Sequence, residues 1–312
     1  MQAHELRAIE EAAAELARGA GKVLMGYFHT PLAVTYKSPN KRDPVTDADK
    51  ASDAYLHEEI RRRFPGHAIL SEETPSDRET EREVVWVLDP LDGTVNFLNG
   101  LPVFGVSIGV LERGVPVAGA IFLPSVQTPE GAVLHARTGG GACLDTTPLD
   151  ISGGPEPGRS LLSALPSYFG RLFSIRPELR SRLGEVRSTG SVAYELALVA
   201  SGTFQYATFT GPRIWDVAAG IVLVQEAGGI VLTRQARAWG RPSGGWAPFR
   251  QFAGPASGAV PELSALRQQR VAILAGSPRA TAFVASHLRL RSLRWRRLWR
   301  RLRGRLARSP RR

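Results

Sequence analysis

The sequence predicts an α/β (α+β) protein built as two halves, and three observations carry that prediction. Residues 3 to 28 place Leu6, Ile9, Ala13, Leu16, Ala20, Val23, Leu24 and Tyr27 at helical spacing, with Glu and Arg between them, which is the pattern of an amphipathic helix. Residues 103 to 111 and 115 to 123 are two apolar runs joined at Glu112-Arg113-Gly114, a hairpin signal. Beyond Ser160, strand-like and helix-like stretches alternate. At 312 residues, 43% hydrophobic and 22% charged, the chain can bury a large core and lacks the composition of a disordered one.

Taken in order, the polar segment after the first helix leads into a second helix from Asp47 to Phe64, ended by Pro65-Gly66. A short strand, HAIL, then runs into Ser71-Glu72-Glu73, and residues 74 to 84 form a polar loop or lid. Val84 to Leu88 is apolar and rich in β-branched and aromatic residues, so it reads as a buried strand that stops at Asp89 because Pro90 cannot continue the ladder. After the hairpin, GAVLHAR and TGGGACLD continue an antiparallel sheet, with the glycines of the second stretch serving a tight turn or a bulge. ISGGPEPGRS, at 151 to 160, reads as a linker between halves at 1–150 and 151–287. The second half holds strands at LLSAL, EVRST, TFQYATFT and VAILA, and helices at RPELRSRL, at 192 to 201, from 214 until Gly228-Gly229 stops it, and at 279 to 287. Residues 235 to 262, rich in Gly, Pro, Ala and Trp, read as an irregular excursion.

The stretch that organises the chemistry is VVWVLDPLDGTVN, 84 to 96. Asp89 and Asp92 leave one strand end nearly together, Gly93 tolerates unusual backbone angles, and Thr94 opens a short segment whose first N–H groups suit an anion. Carboxylates beside anion-binding amides suit divalent cations that bridge the protein to a phosphate. A plain Asp-Gly turn is the simpler alternative for this stretch taken alone. Similar alternatives hold elsewhere. Asp49 lies in a helix's first turn, where it favours the dipole or faces the site; Glu72 belongs to a solvated loop or to the same sheet edge as Asp89; Asp216 caps its helix or serves as a ligand.

Read together, DPVTDAD at 43–49, ILSEE at 69–73, WVLDPLDGTVNF at 86–97, LPVFGVSIGV at 101–110, TGSVAYELALVASG at 189–202 and WDVAAGIVLVQEAGG at 215–229 resemble the motifs of the inositol monophosphatase family, in the family's order, over roughly residues 5 to 287. The resemblance implies a layered α/β/α/β/α sugar-phosphatase fold, commonly a homodimer, with its site where the halves meet. It implies a Mg²⁺-dependent, lithium-sensitive phosphomonoesterase with two or three Mg²⁺ per site, acting on a small sugar or inositol phosphate of the inositol 1-phosphate type. On matched positions, Glu72, Asp89, Asp92, Asp216 and the Leu91 carbonyl would bind Mg²⁺, with Glu72 also counted in the catalytic set. Gly93 and Thr94 would give N–H groups to the phosphate, and Thr94 with Asp49 would position and deprotonate the attacking water. Asp92, Gly190, Ser191, Val192 and Asp216 would border the substrate. Where the family commonly has a Glu, seven residues before the WD aspartate, this chain has Phe209, which cannot accept a hydroxyl hydrogen bond. That departure favours a flatter, more apolar or nucleotide-like leaving group, as in a 3′(2′),5′-bisphosphate nucleotidase. A catalytically silent scaffold that binds phosphorylated ligands is the alternative of another class.

Charge and cysteine content bound the partners. Residues 289 to 312 hold twelve Arg and no acid, so a formal +11 for the chain leaves −1 for the rest. The body therefore lacks the basic excess of a nucleic-acid groove. In the 288–312 tail, Trp295, Leu298, Trp299, Leu302 and Leu306 fall on one helical face, which suits an anionic membrane surface; a solvated tail is the alternative. The lone Cys143 fits a reducing compartment, and no signal peptide or bilayer-spanning run is visible, so a cytoplasmic protein, peripheral at the inner membrane surface, is expected.

Overall fold

A computed structural model describes residues 1–37, 44–74, 82–125, 128, 130–234, 245–252 and 260–290. In chain order its elements are α1 (Ala3–Tyr27), β1 (Val34–Tyr36), β2 (Pro44–Thr46), α2 (Asp47–Arg63), β3 (Ala68–Ser71), β4 (Val84–Asp92), α3 (Thr94–Leu98), β5 (Gly105–Glu112), β6 (Val115–Leu123), β7 (Ala132–Arg137), β8 (Gly141–Leu144) and β9 (Thr147–Leu149). They continue as β10 (Leu162–Ala164), α4 (Phe169–Leu172), β11 (Phe173–Ile175), α5 (Pro177–Arg180), β12 (Glu185–Arg187), α6 (Val192–Ala200), β13 (Phe204–Phe209), α7 (Ile214–Glu226), β14 (Ile230–Arg234), β15 (Trp246–Pro248), α8 (Leu263–Gln268), β16 (Ile273–Gly276), α9 (Pro278–His287) and β17 (Leu288–Leu290).

A seven-stranded sheet runs β3-β4-β5-β6-β7-β8-β9, parallel at β3/β4 and antiparallel beyond. A six-stranded sheet runs β12-β10-β13-β16-β14-β15, parallel where β10 meets β12 and β13 and antiparallel elsewhere. α1 and α2 cover one face of the larger sheet; α6 and α7 fill the space between the two sheets; α9, with α5, covers the far face of the smaller one. The order is the expected α/β/α/β/α. Three apolar clusters follow from it, one under α1 and α2, one around α6 and α7, and one beneath α9. α7 is buried along nearly its whole length from Ile214 to Val224, because sheet lies on both sides of it. Each such Val, Ile or Leu contributes about 1.5–3 kcal/mol on burial.

Local chemistry explains the elements that place the site. The β5–β6 hairpin turns on Arg113 and Gly114, both at positive φ (50° and 82°), which is the backbone of a two-residue loop that matches strand twist. α2 starts where the Thr46 hydroxyl accepts from the N–H groups of Ala48 and Asp49, and Asp49 accepts back from the Thr46 N–H at 2.7 Å, a capping box.

The structure departs from the sequence reading in several places. β4 does not stop at Asp89 but resumes pairing at Asp92 opposite Gly105, after an irregularity at Pro90 and Leu91. A bulge absorbs the proline that a regular ladder would reject. β1, β2, β9, β11, β14 and β15 add strands that no strong periodicity announced, five of them only three residues long. The tail does not begin as a helix: Leu288–Leu290 is β17, paired antiparallel with β11. The expected amphipathic face at 295 to 306 lies outside the described residues, as does most of the expected 74–84 loop.

Candidate active site

The acidic residues Glu72, Asp89, Asp92 and Asp216 come from β4, α7 and the loop after β3. β3 and β4 run parallel in register, Ser71 opposite Leu88, so Glu72 and Asp89 follow at adjacent strand ends. α7 approaches from the other side, its start fixed by the Ser107 hydroxyl, which donates to the Trp215 carbonyl at 3.0 Å. Glu72, Asp89 and Asp216 thus each offer a carboxylate oxygen, all within 4.8 Å of one another. Asp216 also performs the bland role, accepting from the Arg213 N–H at 2.7 Å at the helix start. Asp92, expected in the same set, directs Oδ2 to the start of α6, where it accepts from the Ser191 hydroxyl at 2.8 Å and from the Ala193 N–H. The Leu91 carbonyl accepts from the Thr94 hydroxyl at 3.1 Å.

Electrostatics set this cluster apart from an ordinary acidic surface. Burial, and then the charges of Glu72, Asp92 and Asp216, push the Asp89 carboxyl well above the usual carboxylate range. Burial, and then Asp92, do the same to Asp216. Burial takes Asp92 to about 7 in spite of its two hydrogen bonds, and takes Glu73 to about 7 in spite of Lys37. Asp89, 3% exposed, accepts one hydrogen bond, from the Leu91 N–H at 3.2 Å, and meets no basic side chain among the described residues. At the rim, Lys37 Nζ lies 2.8 Å from Glu72 and 2.7 Å from Glu73. A buried carboxylate without a cation is costly, and an all-oxygen donor set fits a hard divalent ion such as Mg²⁺.

Beside the carboxylates lies a hydrogen-bonded pair, Asp49 and Thr94. Asp49 is buried, 1% exposed, and its Oδ1 accepts from the Thr94 hydroxyl at 3.2 Å across 45 positions of sequence. Burial raises the Asp49 carboxyl, opposed by hydrogen bonds from Thr46 and Thr94. Gly93 has φ +93°, and a Cβ there would lie 3.0 Å from the Val103 carbonyl and 3.2 Å from Ser191 Cβ, so both conformation and crowding demand glycine. Gly190, at φ +87°, and Ser191 and Val192 line a cavity of about 680 Å³ together with Phe209, Tyr168, Thr210 and Arg270.

A model of the Inositol monophosphatase family matches residues 5–272. The chain belongs to this family. Over 228 residues it is 37% identical to the Nus factor SuhB of Escherichia coli strain K12, spanning 70% of this chain and 82% of that one. It is 39% identical over 194 residues to the inositol-1-monophosphatase of Synechocystis sp., spanning 61% of this chain and 66% of that one. Among solved structures it is similar to the suhB protein of Bartonella henselae (TM-score 0.68, 26% identity, 89% of this chain and 97% of that one). It is also similar to the inositol monophosphatase of Anabaena (TM-score 0.64, 30% identity, 90% of this chain and 95% of that one).

Within the family frame, sequence reasoning missed the residues that hold the expected groups in place. Ser52 donates from α2 to the Pro90 carbonyl at 2.9 Å and so ties Asp49's helix to the β4 bend. Asp53 accepts from the hydroxyls of Ser71 and Thr74 on either side of Glu72-Glu73. Asn96 Nδ2 reaches both the Val103 and Thr189 carbonyls at 2.7 Å. Arg267 grips the loop after β3 from the far half. Asn96 lies inside the 86–97 motif, which does not by itself show what it bonds, and the others bond residues distant along the chain; the helical spacing of Asp49, Ser52 and Asp53 hints at one shared face.

Proposed function

We propose that the protein is a Mg²⁺-dependent phosphomonoesterase that hydrolyses a small sugar, inositol or nucleotide phosphate to the alcohol and inorganic phosphate. The observation that carries this reading is the juxtaposition of Glu72, Asp89 and Asp216 with the Asp49–Thr94 pair. Glu72, Asp89 and Asp216 would hold the metal, and the family resemblance adds Asp92 and the Leu91 carbonyl. Bound Mg²⁺ supplies a Lewis acid for phosphate oxygens and lowers the pKa of a bound water. The N–H groups of Gly93 and Thr94, at the start of α3, would hold the phosphate. Thr94 Oγ1 takes a proton from the attacking water and passes its own to Asp49 Oδ1, whose burial keeps its proton affinity above that of a solvated carboxylate. No covalent enzyme intermediate is required.

The leaving alcohol faces the cavity lined by Gly190, Ser191, Val192 and Phe209. Among the described residues on that lining, Glu195 is the one acid and is committed to the Thr189 N–H at 2.6 Å, and Arg270 is the one base. This wall offers an aromatic face and a cation beside the hydroxyls of Ser167, Ser188 and Thr210, and the aromatic face with the cation favours a 3′(2′),5′-bisphosphate nucleotide over inositol 1-phosphate. The test is phosphate release with Mg²⁺ from inositol 1-phosphate, 3′-phosphoadenosine 5′-phosphate, fructose 1,6-bisphosphate and histidinol phosphate. One dominant ester establishes the substrate; no release from any, with the metal bound, shifts the reading to a phospholigand-binding protein. A homodimer is proposed for the assembly.

A further inference from the structure

Arg267 belongs to none of the motifs that carry the family resemblance, yet it touches the segments that bear two of the three clustered carboxylates. α8 is anchored in the core by Leu263 and Leu266, which are 8% and 0% exposed. From its last turn the Arg267 guanidinium reaches across to the loop after β3. Nη1 donates to the Ser71 carbonyl at 2.7 Å and the Thr74 carbonyl at 3.3 Å, and Nη2 donates to the Glu72 carbonyl at 3.2 Å. The same guanidinium lies 5.5 Å over the ring of Trp215, the residue before Asp216. Arg213 packs against that ring at 5.6 Å and donates from Nη1 to the Arg267 carbonyl at 3.4 Å.

A planar fork suits this task, because it can hold several carbonyls at fixed angles while its face rests on an aromatic ring. A lysine ammonium could not do both. Burial and the neighbouring Arg213 disfavour the Arg267 charge, whereas Glu72, Glu73 and Asp53 favour it. The cation therefore sits where it does at some cost, compensated by the acidic loop it holds.

We propose that Arg267 is a positioning residue that fixes the Glu72 loop against the start of α7, and so sets the spacing of Glu72 and Asp216 for a divalent ion. The inference rests on the phosphatase reading above, because it concerns the same metal site. Groups that orient metal ligands without touching the ion typically tune affinity by about 10–100-fold.

The experiment compares wild type, Arg267→Ala, Arg267→Lys and Leu266→Ala as full chains. Leu266→Ala removes packing from the same helix without touching the loop. Divalent-ion affinity is measured directly, by calorimetry with Mg²⁺ and by electron paramagnetic resonance with Mn²⁺, alongside Tm and steady-state kinetics. Arg267→Ala is expected to weaken metal binding about 10–100-fold, Arg267→Lys by less, and Leu266→Ala by under about threefold despite a lower Tm. At saturating Mg²⁺, KM for the phosphate ester is expected to stay within about threefold of wild type. Wild-type metal affinity in Arg267→Ala, or an equal loss in Leu266→Ala, overturns the inference and leaves the phosphatase reading standing. A wild-type chain that binds no divalent ion overturns both.

Discussion

Asp89 is the residue on which the proposed chemistry turns, because its carboxylate is buried among like charges with no basic partner among the described residues. Asp89→Asn is expected to lower kcat by at least about 10³-fold while the fold persists, as judged by circular dichroism and Tm. It should also abolish the rise in Tm that Mg²⁺ gives the wild type, since a ligand that binds only the folded state stabilises it in proportion to log concentration. Substantial activity in that variant would remove the proposed role. The raised carboxyls make a second prediction. Asp92 and Glu73 titrate near 7 when folded, and Asp89 and Asp216 lie well above the ordinary value, against about 4 in an unfolded chain. Between about pH 4 and 7 the folded state holds protons that the unfolded chain releases, so metal-free protein loses stability as pH rises. Denaturant titrations in a chelator at pH 5 and pH 8 should place the higher midpoint at pH 5, and Mg²⁺ should narrow the gap. On the substrate side, Arg270→Ala is expected to lower kcat/KM for 3′-phosphoadenosine 5′-phosphate about tenfold or more and to leave inositol 1-phosphate nearly unchanged. Equal losses on both esters would mean that Arg270 does not select the leaving group.

At the scale of elements, the position of α7 depends on two glycines in the larger sheet. A Cβ on Gly119 would meet Ala219 Cα at 2.7 Å, and one on Gly109 would meet Ala218 Cβ at 2.5 Å. Close approach of β5 and β6 to α7 is what brings Asp216 to the ends of β3 and β4. Gly119→Ala is therefore expected to destabilise by about 1–3 kcal/mol, read from chemical denaturation, and to reduce metal affinity by shifting α7 outward. The linear sequence shows these glycines inside apolar runs but not what lies against them. The short strands were hidden for a related reason: three residues span too little of a period-2 pattern to stand out, and β17 exists because β11 offers it a partner. The continuation of β4 past Pro90 likewise needed the partner strand, since only β5 fixes where pairing resumes.

For the whole molecule, the charge split separates a nearly neutral body from an Arg-rich end. The proposed membrane contact of residues 289 to 312 predicts that full-length protein sediments with anionic vesicles and that a chain ending at Leu290 does not; equal behaviour would remove the proposal. The cut belongs after Leu290 because β17 is part of the described structure. No helix among the described residues is long and apolar enough to cross a membrane. The sequence by itself determined the main helices and the hairpin, through local periodicity and a turn residue, whereas the layered class and the set of acidic residues were legible only through the resemblance of short motifs to a family. Only the tertiary structure decided that Asp92 turns one oxygen to the start of α6, that Asn96 links two distant loops, and that Arg267 clasps the Glu72 loop from nearly two hundred residues away. Those contacts join segments remote in the chain, and a hydrogen bond or cation over a ring leaves no period in a sequence; it exists only once packing has brought the partners within reach.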